Sequence, residues 1–271
     1  MGIEPTLVAW EATVLPLNYT RSALLWLLWQ RNTPTQAQPF LMIEGLPERA
    51  IKTFARREGR MTQAQARALE DFGHSVLIDN PLAARFDPLA AFSANAPLHL
   101  DIGFGAGESI ANSAYLNPDQ NYLGLEVHRP GVGQLLLKLD AQKSRNVRVA
   151  VVDAVEFLHR SIGSKSLSSV RIFCPDPWPK QRHCKRRLIQ DEFIQIVRGA
   201  LILHGELFLA TDWAPYADHM LKVLSRAPGF INRSPTQRFA PRFAERPLTR
   251  FENRGLGLGH AVFDLHFARS E

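Results

Sequence analysis

The stretch Phe173–Arg187 holds the residues of this chain that are best suited to chemistry. It contains one carboxylate, Asp176, between two prolines, followed by a tract with five Lys or Arg in eight residues and no acid. Because proline restricts itself and the residue before it, Cys174 and Asp176 are expected near extended geometry. A rigid carboxylate beside a basic arm indicates chemistry on a polyanion. The alternative is a solvated loop that carries a charge run.

Composition describes an ordinary globular chain with a basic balance. The 271 residues carry a net charge of +6, which favours nucleic acid or an anionic membrane surface as a partner. Cys174 and Cys184 form no CxxC pair or disulfide framework, which favours a reducing cytosol, and we expect no metal site. The apolar run Ala23–Trp29 is shorter than the ~20 residues needed to cross a bilayer, so we expect no membrane partner.

The order of predicted elements indicates an α/β fold. Strands are expected at 98–102, 122–126, 147–153, 170–173, 206–211 and 260–268. Helices are expected between them at 108–116, 132–142, 154–162 and 188–203. Such alternation predicts a mostly parallel sheet with helices on both faces, and the last strand suits an antiparallel edge. The Arg/Pro connection, residues 235–259, is long enough to be functional.

The N-terminal part is expected to differ from this sheet domain. Residues 1–45 form an extension, which we expect to be poorly ordered or loosely docked. Residues 46–97 form a basic arm and a helix, and residues 98–271 form the sheet domain. Thr62 is expected to cap a helix over 63–72, with Gln65 at the capping-box position.

A glycine loop, Asp101-Ile-Gly-Phe-Gly-Ala-Gly107, follows the first strand and opens a helix. Ligands of such sheets bind at the carboxyl ends of the strands. The spacing is G-x-G-x-G, which weakens a pyrophosphate cradle and disfavours a nicotinamide oxidoreductase. It suits a nucleoside with an uncharged linker, such as S-adenosylmethionine. A tight structural turn is the alternative explanation.

Two acids strengthen the prediction of a cofactor site. Glu126 ends the second strand, where a carboxylate accepts ribose hydroxyls. Asp153 ends the third strand, where an adenine edge would lie, although it also suits a helix N-cap.

Several motifs in order resemble those of bacterial tRNA (guanine-N7)-methyltransferases. They are Leu-Asp-Ile-Gly-Phe-Gly-Ala-Gly, Gly-Leu-Glu-Val-His-Arg-Pro-Gly, Pro-Asp-Pro-Trp-Pro-Lys with its basic tail, Ala-Thr-Asp-Trp-Ala-Pro and Arg-Pro-Leu-Thr-Arg-Phe-Glu. The resemblance runs from about Ile51 to Arg269. Asp101 stands where the family commonly has Glu, and Cys174 where Phe or Asn is common. The resemblance implies a seven-stranded Rossmann-like domain that methylates guanine N7 at position 46, in the tRNA variable loop.

The resemblance also implies roles for individual residues. Asp176 would be catalytic. The cofactor-binding residues would be Asp101, Gly103, Gly105, Gly107, Glu126, Asp153 and Asp176. The substrate-binding residues would be Lys180, Asp212, Thr249, Arg250, Phe251 and Glu252. The RNA-contacting residues would be Arg182, His183, Lys185, Arg186 and Arg187.

The acceptor chemistry refines the role of Asp176. Guanine N7 has a lone pair and no proton, so Asp176 should orient the base and stabilise the growing cation. Alternatives stay open: Asp176 as a turn former, Trp178 as a packing residue, Asp212 as a helix cap and Glu252 as a surface salt-bridge partner. So do a methyltransferase for a small molecule or protein and a non-catalytic RNA-binding module. We expect tRNA as the partner, a cytoplasmic location, and a monomer or homodimer.

Overall fold

Seven strands form one sheet in the computed structural model, which describes residues 52–54, 59–248, 252, 257 and 261–270. The strands are β1 (Leu98–Ile102), β2 (Asn121–Leu125), β3 (Val147–Ala150), β4 (Leu167–Phe173), β5 (Leu201–Thr211), β6 (Phe230–Asn232) and β7 (Phe263–Arg269). Their order is β3-β2-β1-β4-β5-β7-β6. Strands β1 to β5 pair in parallel, and β7 is antiparallel to β5 and β6. The predicted α/β fold is confirmed, and β6 is an additional strand outside β7.

Helices cover both faces of this sheet, as predicted. They are α1 (Gln63–Val76), α2 (Pro88–Ala91), α3 (Glu108–Leu116), α4 (Arg129–Gln142), α5 (Ala154–Arg160), α6 (Asp191–Ala200), α7 (Ala214–Arg226) and a 3₁₀ helix (Gln181–Arg186). Helices α5 to α7 bury Phe157, Ile194 and Met220 in a core with β1, β2 and β4. Helices α1, α3 and α4 form a second core with β2 and β3. In the part of the chain described here, no helix is both long and apolar enough to cross a membrane.

Helix α1 starts where the sequence predicts and joins the second core. Thr62 Oγ1 accepts a hydrogen bond from the Gln65 amide at 3.2 Å, and Gln65 Oε1 accepts one from the Thr62 amide at 2.9 Å. This confirms the capping box. A Cβ added to Gly133 of α4 would lie 2.8 Å from Gln65 Cβ, so the two helices pack closely. The division of the chain at residue 97 stays a prediction.

The junction between α6 and β5 differs from the prediction. The helix expected to reach residue 203 ends at Ala200, and Leu201 already pairs with Leu167 of β4. The register then shifts before Ser169 pairs with Glu206, and His204 has a φ of 63°. The apolar run after Ala200 therefore continues as an irregular buried strand rather than as helix.

A row of polar and aromatic side chains crosses strands β1, β4 and β5 of the sheet. Asp101 on β1 is in register with Arg171 on β4, which is in register with Phe208 on β5. Phe243, from the Arg/Pro connection, lies over this row: its ring centroid is 5.1 Å from the Arg171 guanidinium and 4.3 Å from the Phe208 ring. The connection therefore packs on this part of the sheet together with helix α3, whose Ser113 accepts a hydrogen bond from Arg171.

Candidate active site

A cavity of about 750 Å³ opens at the carboxyl ends of the parallel strands. Residues that follow β1 to β4 line it, together with part of the N-terminal arm; they include Gly103, Glu126, Val151, Val152, Cys174, Asp176, Thr53, Phe54, Gly59 and Met61. This is the position expected for a ligand in a doubly wound sheet, and the volume suits a cofactor.

The glycine loop has the backbone geometry that only glycine adopts easily. Gly103, Gly105 and Gly107 have φ values of 67°, 59° and 78°. A Cβ added to Gly103 or Gly105 would meet no atom within 4 Å, so the loop leaves open space beside its backbone. A Cβ on Gly107 would instead lie 2.7 Å from Leu135 Cβ. The first two glycines give a ligand close access to the backbone, and the third allows helix packing.

Glu126 holds this loop in place. Its buried carboxylate accepts hydrogen bonds from the backbone amides of Gly105 at 2.9 Å, Val127 at 2.7 Å and His128 at 2.9 Å. It also lines the cavity. A carboxylate has about four acceptor sites, so these contacts leave little capacity for further bonds. The ribose contact of Glu126 stays a prediction. The structure shows that its carboxylate ties the glycine loop to the residues that follow β2.

Asp153 caps a helix, which is the alternative role that its position in the sequence suits. Its Oδ1 atom accepts hydrogen bonds from the amides of Val155 at 2.8 Å and Glu156 at 3.1 Å, at the start of α5. Val152 and Ala154, its neighbours in sequence, line the cavity. The predicted adenine contact of Asp153 stays a prediction.

Asp101 points away from the open part of the site. It is 2 % exposed, and its Oδ2 atom has no hydrogen-bond partner among the described residues. Burial raises the pKa of Asp101 to about 7; the nearby Arg171 opposes this shift and Glu126 adds to it. Ile102 and Gly103 line the cavity instead. The predicted cofactor contact of Asp101 stays a prediction.

The raised pKa of Asp101 predicts a pH-dependent stability. Its folded-state pKa is about 7 against an ordinary value of 3.8, so the folded state binds this proton more tightly than the unfolded state. The stability that the group contributes is therefore lost as pH rises from about 4 through 7. Asp101→Asn removes this titration. Urea unfolding should show the variant gaining stability relative to the parent protein between about pH 5 and about pH 8. If the difference in free energy of unfolding between the variant and the parent protein is the same at both pH values, this assignment is wrong.

The loop with Asp176 turns sharply after β4. The Cys174 amide donates to the Ala210 carbonyl at 2.8 Å, which extends the pairing with β5 by one residue. Cys174 then has a φ of 51°, so the extended geometry predicted for it is wrong. The residue before a proline is usually restricted to extended geometry, so the positive φ of Cys174 departs from this preference. The turn leaves Asp176 exposed at the cavity wall.

Trp178 packs within the protein, which is one of the two alternatives that the sequence left open. Its Nε1 atom donates to the Thr53 carbonyl at 2.9 Å, and the Arg186 guanidinium lies 4.0 Å from the ring centroid. Arg186 Nε also donates to the Lys52 carbonyl at 3.2 Å. Residues 52–54 of the N-terminal arm are thereby held against the cavity.

The basic tract divides into exposed and buried residues. Lys180, Arg182 and Lys185 are exposed, and His183 is half-buried, edge-on to the Trp178 ring. Arg187 is only 7 % exposed. Its Nε atom donates to the Pro177 carbonyl at 2.9 Å, and its guanidinium lies 5.0 Å from the Tyr216 ring centroid. The RNA contact predicted for Arg187 conflicts with this burial, because the side chain supports the loop.

The predicted substrate residues have different surroundings. Asp212 is exposed after β5, and Trp213 is the N-cap of α7, without a side-chain cap bond. The helix-cap alternative for Asp212 is therefore wrong. Glu252 is buried, so its salt bridges to Arg242 and Arg246 are not on the surface. Burial raises the pKa of Glu252, but the hydrogen bonds and charges of the two arginines outweigh it and lower that pKa. Thr249, Arg250 and Phe251 lie outside the described residues.

Several buried charged residues around the site were not predicted from the sequence. Arg171 donates to Ser113 Oγ at 2.7 Å and to Glu245 Oε2 at 3.1 Å. Arg246 binds both Glu252 and Asp264. A charge inside the apolar strand Val170–Phe173 was the available signal for Arg171. Among the residues described, no group of His, Cys, Asp and Glu is arranged to hold a metal ion.

Comparisons with known proteins agree with this geometry. The family Methyltransf_4, described as "Putative methyltransferase", matches residues 95–265. A tRNA (guanine-N(7)-)-methyltransferase of Alkalilimnicola ehrlichii is 48% identical over 83% of this chain and 94% of its own. One from Cronobacter sakazakii is 47% identical over the same shares. Among solved structures, the 16S rRNA methyltransferase KamB aligns at 15% identity with a TM-score of 0.49, over 69% of this chain and 95% of that chain. The fold is established by the order and direction of the strands and does not depend on this structural alignment.

The family match, residues 95–265, covers strands β1 to β6 and the start of β7. The relatives have nearly half of their residues in common with this chain and are matched over almost their full length. The chain therefore belongs to the tRNA (guanine-N(7)-)-methyltransferase family.

Proposed function

We propose that this protein transfers a methyl group from S-adenosylmethionine to N7 of a guanine in tRNA, at position 46 in the variable loop. The observation that carries the proposal is the position of Asp176. This exposed carboxylate lines the same cavity as the glycine loop and lies five residues before the start of the basic 3₁₀ helix at Gln181. One wall of the cavity thus suits a nucleoside cofactor, and the adjoining surface suits a polyanion.

The residues around the cavity fit S-adenosylmethionine. Gly103 and Gly105 present their backbone to open space, where any side chain would project into the volume of a ligand. Glu126 and the apolar residues Val151 and Val152 line the adjoining wall. These residues would hold the cofactor, which when bound supplies an electrophilic methyl group on a sulfonium.

Asp176 acts on the acceptor side. Because N7 has no proton, the residue need not be a general base. Its carboxylate orients the guanine and stabilises the positive charge that develops on the purine. Asp212, exposed at the end of the neighbouring strand β5, accepts hydrogen bonds from the guanine N1–H and N2 amine. Glu252 is less available for this purpose, because two arginines already bind its carboxylate.

The exposed cations of the 3₁₀ helix hold the tRNA backbone. Phosphate contacts position RNA without reading its sequence. We expect the double substitution Arg182→Ala and Lys185→Ala to weaken tRNA binding and to reduce the slope of log affinity against log salt. The reduction should be about 0.7–0.9 for each phosphate that the protein no longer neutralises. Filter binding over a salt series measures both quantities. Because the two side chains are exposed, the melting temperature should stay unchanged.

Arg187→Ala is the matched control for this prediction. It removes one positive charge from the same segment, against two in the double variant, and it breaks buried interactions with Pro177 and Tyr216. We expect a lower melting temperature and a salt slope close to that of the parent protein. A smaller salt slope for Arg187→Ala than for the double variant would contradict the assignment.

Labelled methyl transfer tests the proposed activity. The protein is incubated with labelled S-adenosylmethionine and either unmodified tRNA or free guanosine. We expect label in tRNA only. Label in guanosine would favour a small-molecule methyltransferase, and binding of tRNA without transfer would favour a non-catalytic RNA-binding module.

We also propose a cytoplasmic location, where the thiols Cys174 and Cys184 stay free. We further propose that the protein is a monomer or a homodimer, which light scattering distinguishes.

A further inference from the structure

Arg246 lies at the centre of a buried network of charges. Its side chain is 3 % exposed. Nη1 donates to Glu252 Oε1 at 2.8 Å, and Nη2 donates to both carboxylate oxygens of Asp264, at 2.9 Å and 2.8 Å. One guanidinium therefore joins the Arg/Pro connection to β7.

The same guanidinium lies beside the last residue of β4, the strand that leads into the loop with Asp176. Arg246 Cζ lies 5.4 Å from the ring centroid of Phe173, the last residue of β4. Phe173 directly precedes Cys174, Pro175 and Asp176. Desolvation and the charge of Asp212 raise the pKa of the Cys174 thiol to about 11; Glu252 and Asp264 add to this rise, and Arg246 opposes it. The network is thus close enough to the loop to act on it electrostatically.

The geometry of the network requires an arginine at its centre. Arg242 also binds Glu252, and its Nη2 atom donates to the Arg246 carbonyl at 2.9 Å, so two arginines balance two carboxylates. Only a planar guanidinium with several fixed donors can bind one carboxylate at each end and also lie over an aromatic ring. A lysine at residue 246 would keep the charge and could not make these interactions simultaneously.

We propose that Arg246 is a positioning residue for methyl transfer, which sets the guanine-side wall of the site relative to Asp176. It does so by joining Glu252, Asp264 and Phe173. This inference rests on the proposed function and deepens it, because the residue acts on the acceptor side of the same site. It does not line the cofactor cavity.

Steady-state kinetics with Arg246→Lys and Arg246→Gln test this proposal. We expect kcat/KM for tRNA to fall on the order of 10–100-fold, as a displaced substrate wall would produce. The dissociation constant for S-adenosylmethionine should change less than about twofold. Arg238→Gln is the matched control, because Arg238 is exposed in the same connection, where it makes a 3.8 Å ion pair with Asp218 and lies 5.6 Å from the Phe239 ring centroid. The control should keep the kinetics of the parent protein.

Two further measurements separate positioning from general loss of structure. Thermal unfolding identifies any variant that is not folded at the assay temperature. Asp264→Asn, which keeps the size of the side chain and leaves the Glu252 pairs intact, then replaces that variant. If Arg246 acts through Glu252, the effects of Arg246→Gln and Glu252→Gln on kcat/KM will be strongly non-additive.

The outcomes distinguish this proposal from the proposed function. If the parent protein does not methylate tRNA, the function itself is wrong. If it does, and folded Arg246 variants keep the parent kcat/KM, the positioning role is wrong. Equal losses of cofactor binding and tRNA turnover, or additive effects with Glu252→Gln, would also overturn it.

Discussion

Asp176→Ala is expected to lower the rate of methyl transfer to tRNA by about 10²–10³, the loss typical of removing one group that stabilises transition-state charge. The carboxylate lies at the cavity wall. In the proposed mechanism, it stabilises the positive charge that the purine gains as its N7 atom is methylated. Because the side chain is exposed, its removal should leave the melting temperature unchanged. Single-turnover kinetics with saturating tRNA measures the rate of the chemical step.

The neutral isostere Asp176→Asn separates charge from shape. If charge stabilisation dominates, this variant should be nearly as slow as the alanine variant, although it can still hydrogen-bond to the base. Calorimetric titration with S-adenosylmethionine should give nearly the same affinity for both variants and the parent protein. Normal turnover by Asp176→Ala would sink the catalytic assignment.

Gly131→Ala is expected to impair the cofactor site from outside the cavity. A Cβ at this position of α4 would lie 2.3 Å from the Gly105 carbonyl oxygen, a backbone atom that must shift. Overpacking of this kind costs about 1–3 kcal/mol. If moving the glycine loop relieves the strain, S-adenosylmethionine affinity falls by a factor of about 5–150. Urea unfolding and calorimetric titration measure the two effects.

Gly199→Ala provides the matched control for this prediction. Gly199 lies on the exposed side of α6, and a Cβ added there meets no atom within 4 Å. Helix propensity alone should then stabilise the variant by about 0.5–1 kcal/mol, with cofactor affinity unchanged. Parent-like cofactor affinity in Gly131→Ala would show that the glycine loop tolerates displacement.

Local patterns were sufficient to predict the fold and the place of the site. Apolar strands alternating with helices predict a parallel sheet, and the carboxyl ends of its strands meet at one edge. Gly103, Glu126 and Asp176 therefore line one cavity although they are distant in sequence. The capping box at Thr62 could also be predicted, because it depends only on Thr62 and on Gln65, three positions further along the chain.

Features that depend on distant partners could not be predicted. Arg187 belongs to a basic tract that suits phosphate contacts, but its burial depends on Tyr216, which the fold brings beside it. In the sequence, Arg246 looks like any other arginine of the polar Arg/Pro connection. Its role depends on Asp264 of β7, which the fold brings opposite it. The positive φ of Cys174 departs from the extended geometry that is usual before a proline, and no local pattern in the sequence indicates it.

Mapping the methylated base is the decisive experiment for the proposed activity. Unmodified tRNA is incubated with the protein and S-adenosylmethionine, and the product is digested and analysed by mass spectrometry. We predict one 7-methylguanosine, located at position 46 of the variable loop, and about 10²–10³ times less of it in the same reaction time with Asp176→Ala. A methyl group on another atom or another nucleotide would contradict this function, as would 7-methylguanosine at the parent level in tRNA treated with Asp176→Ala.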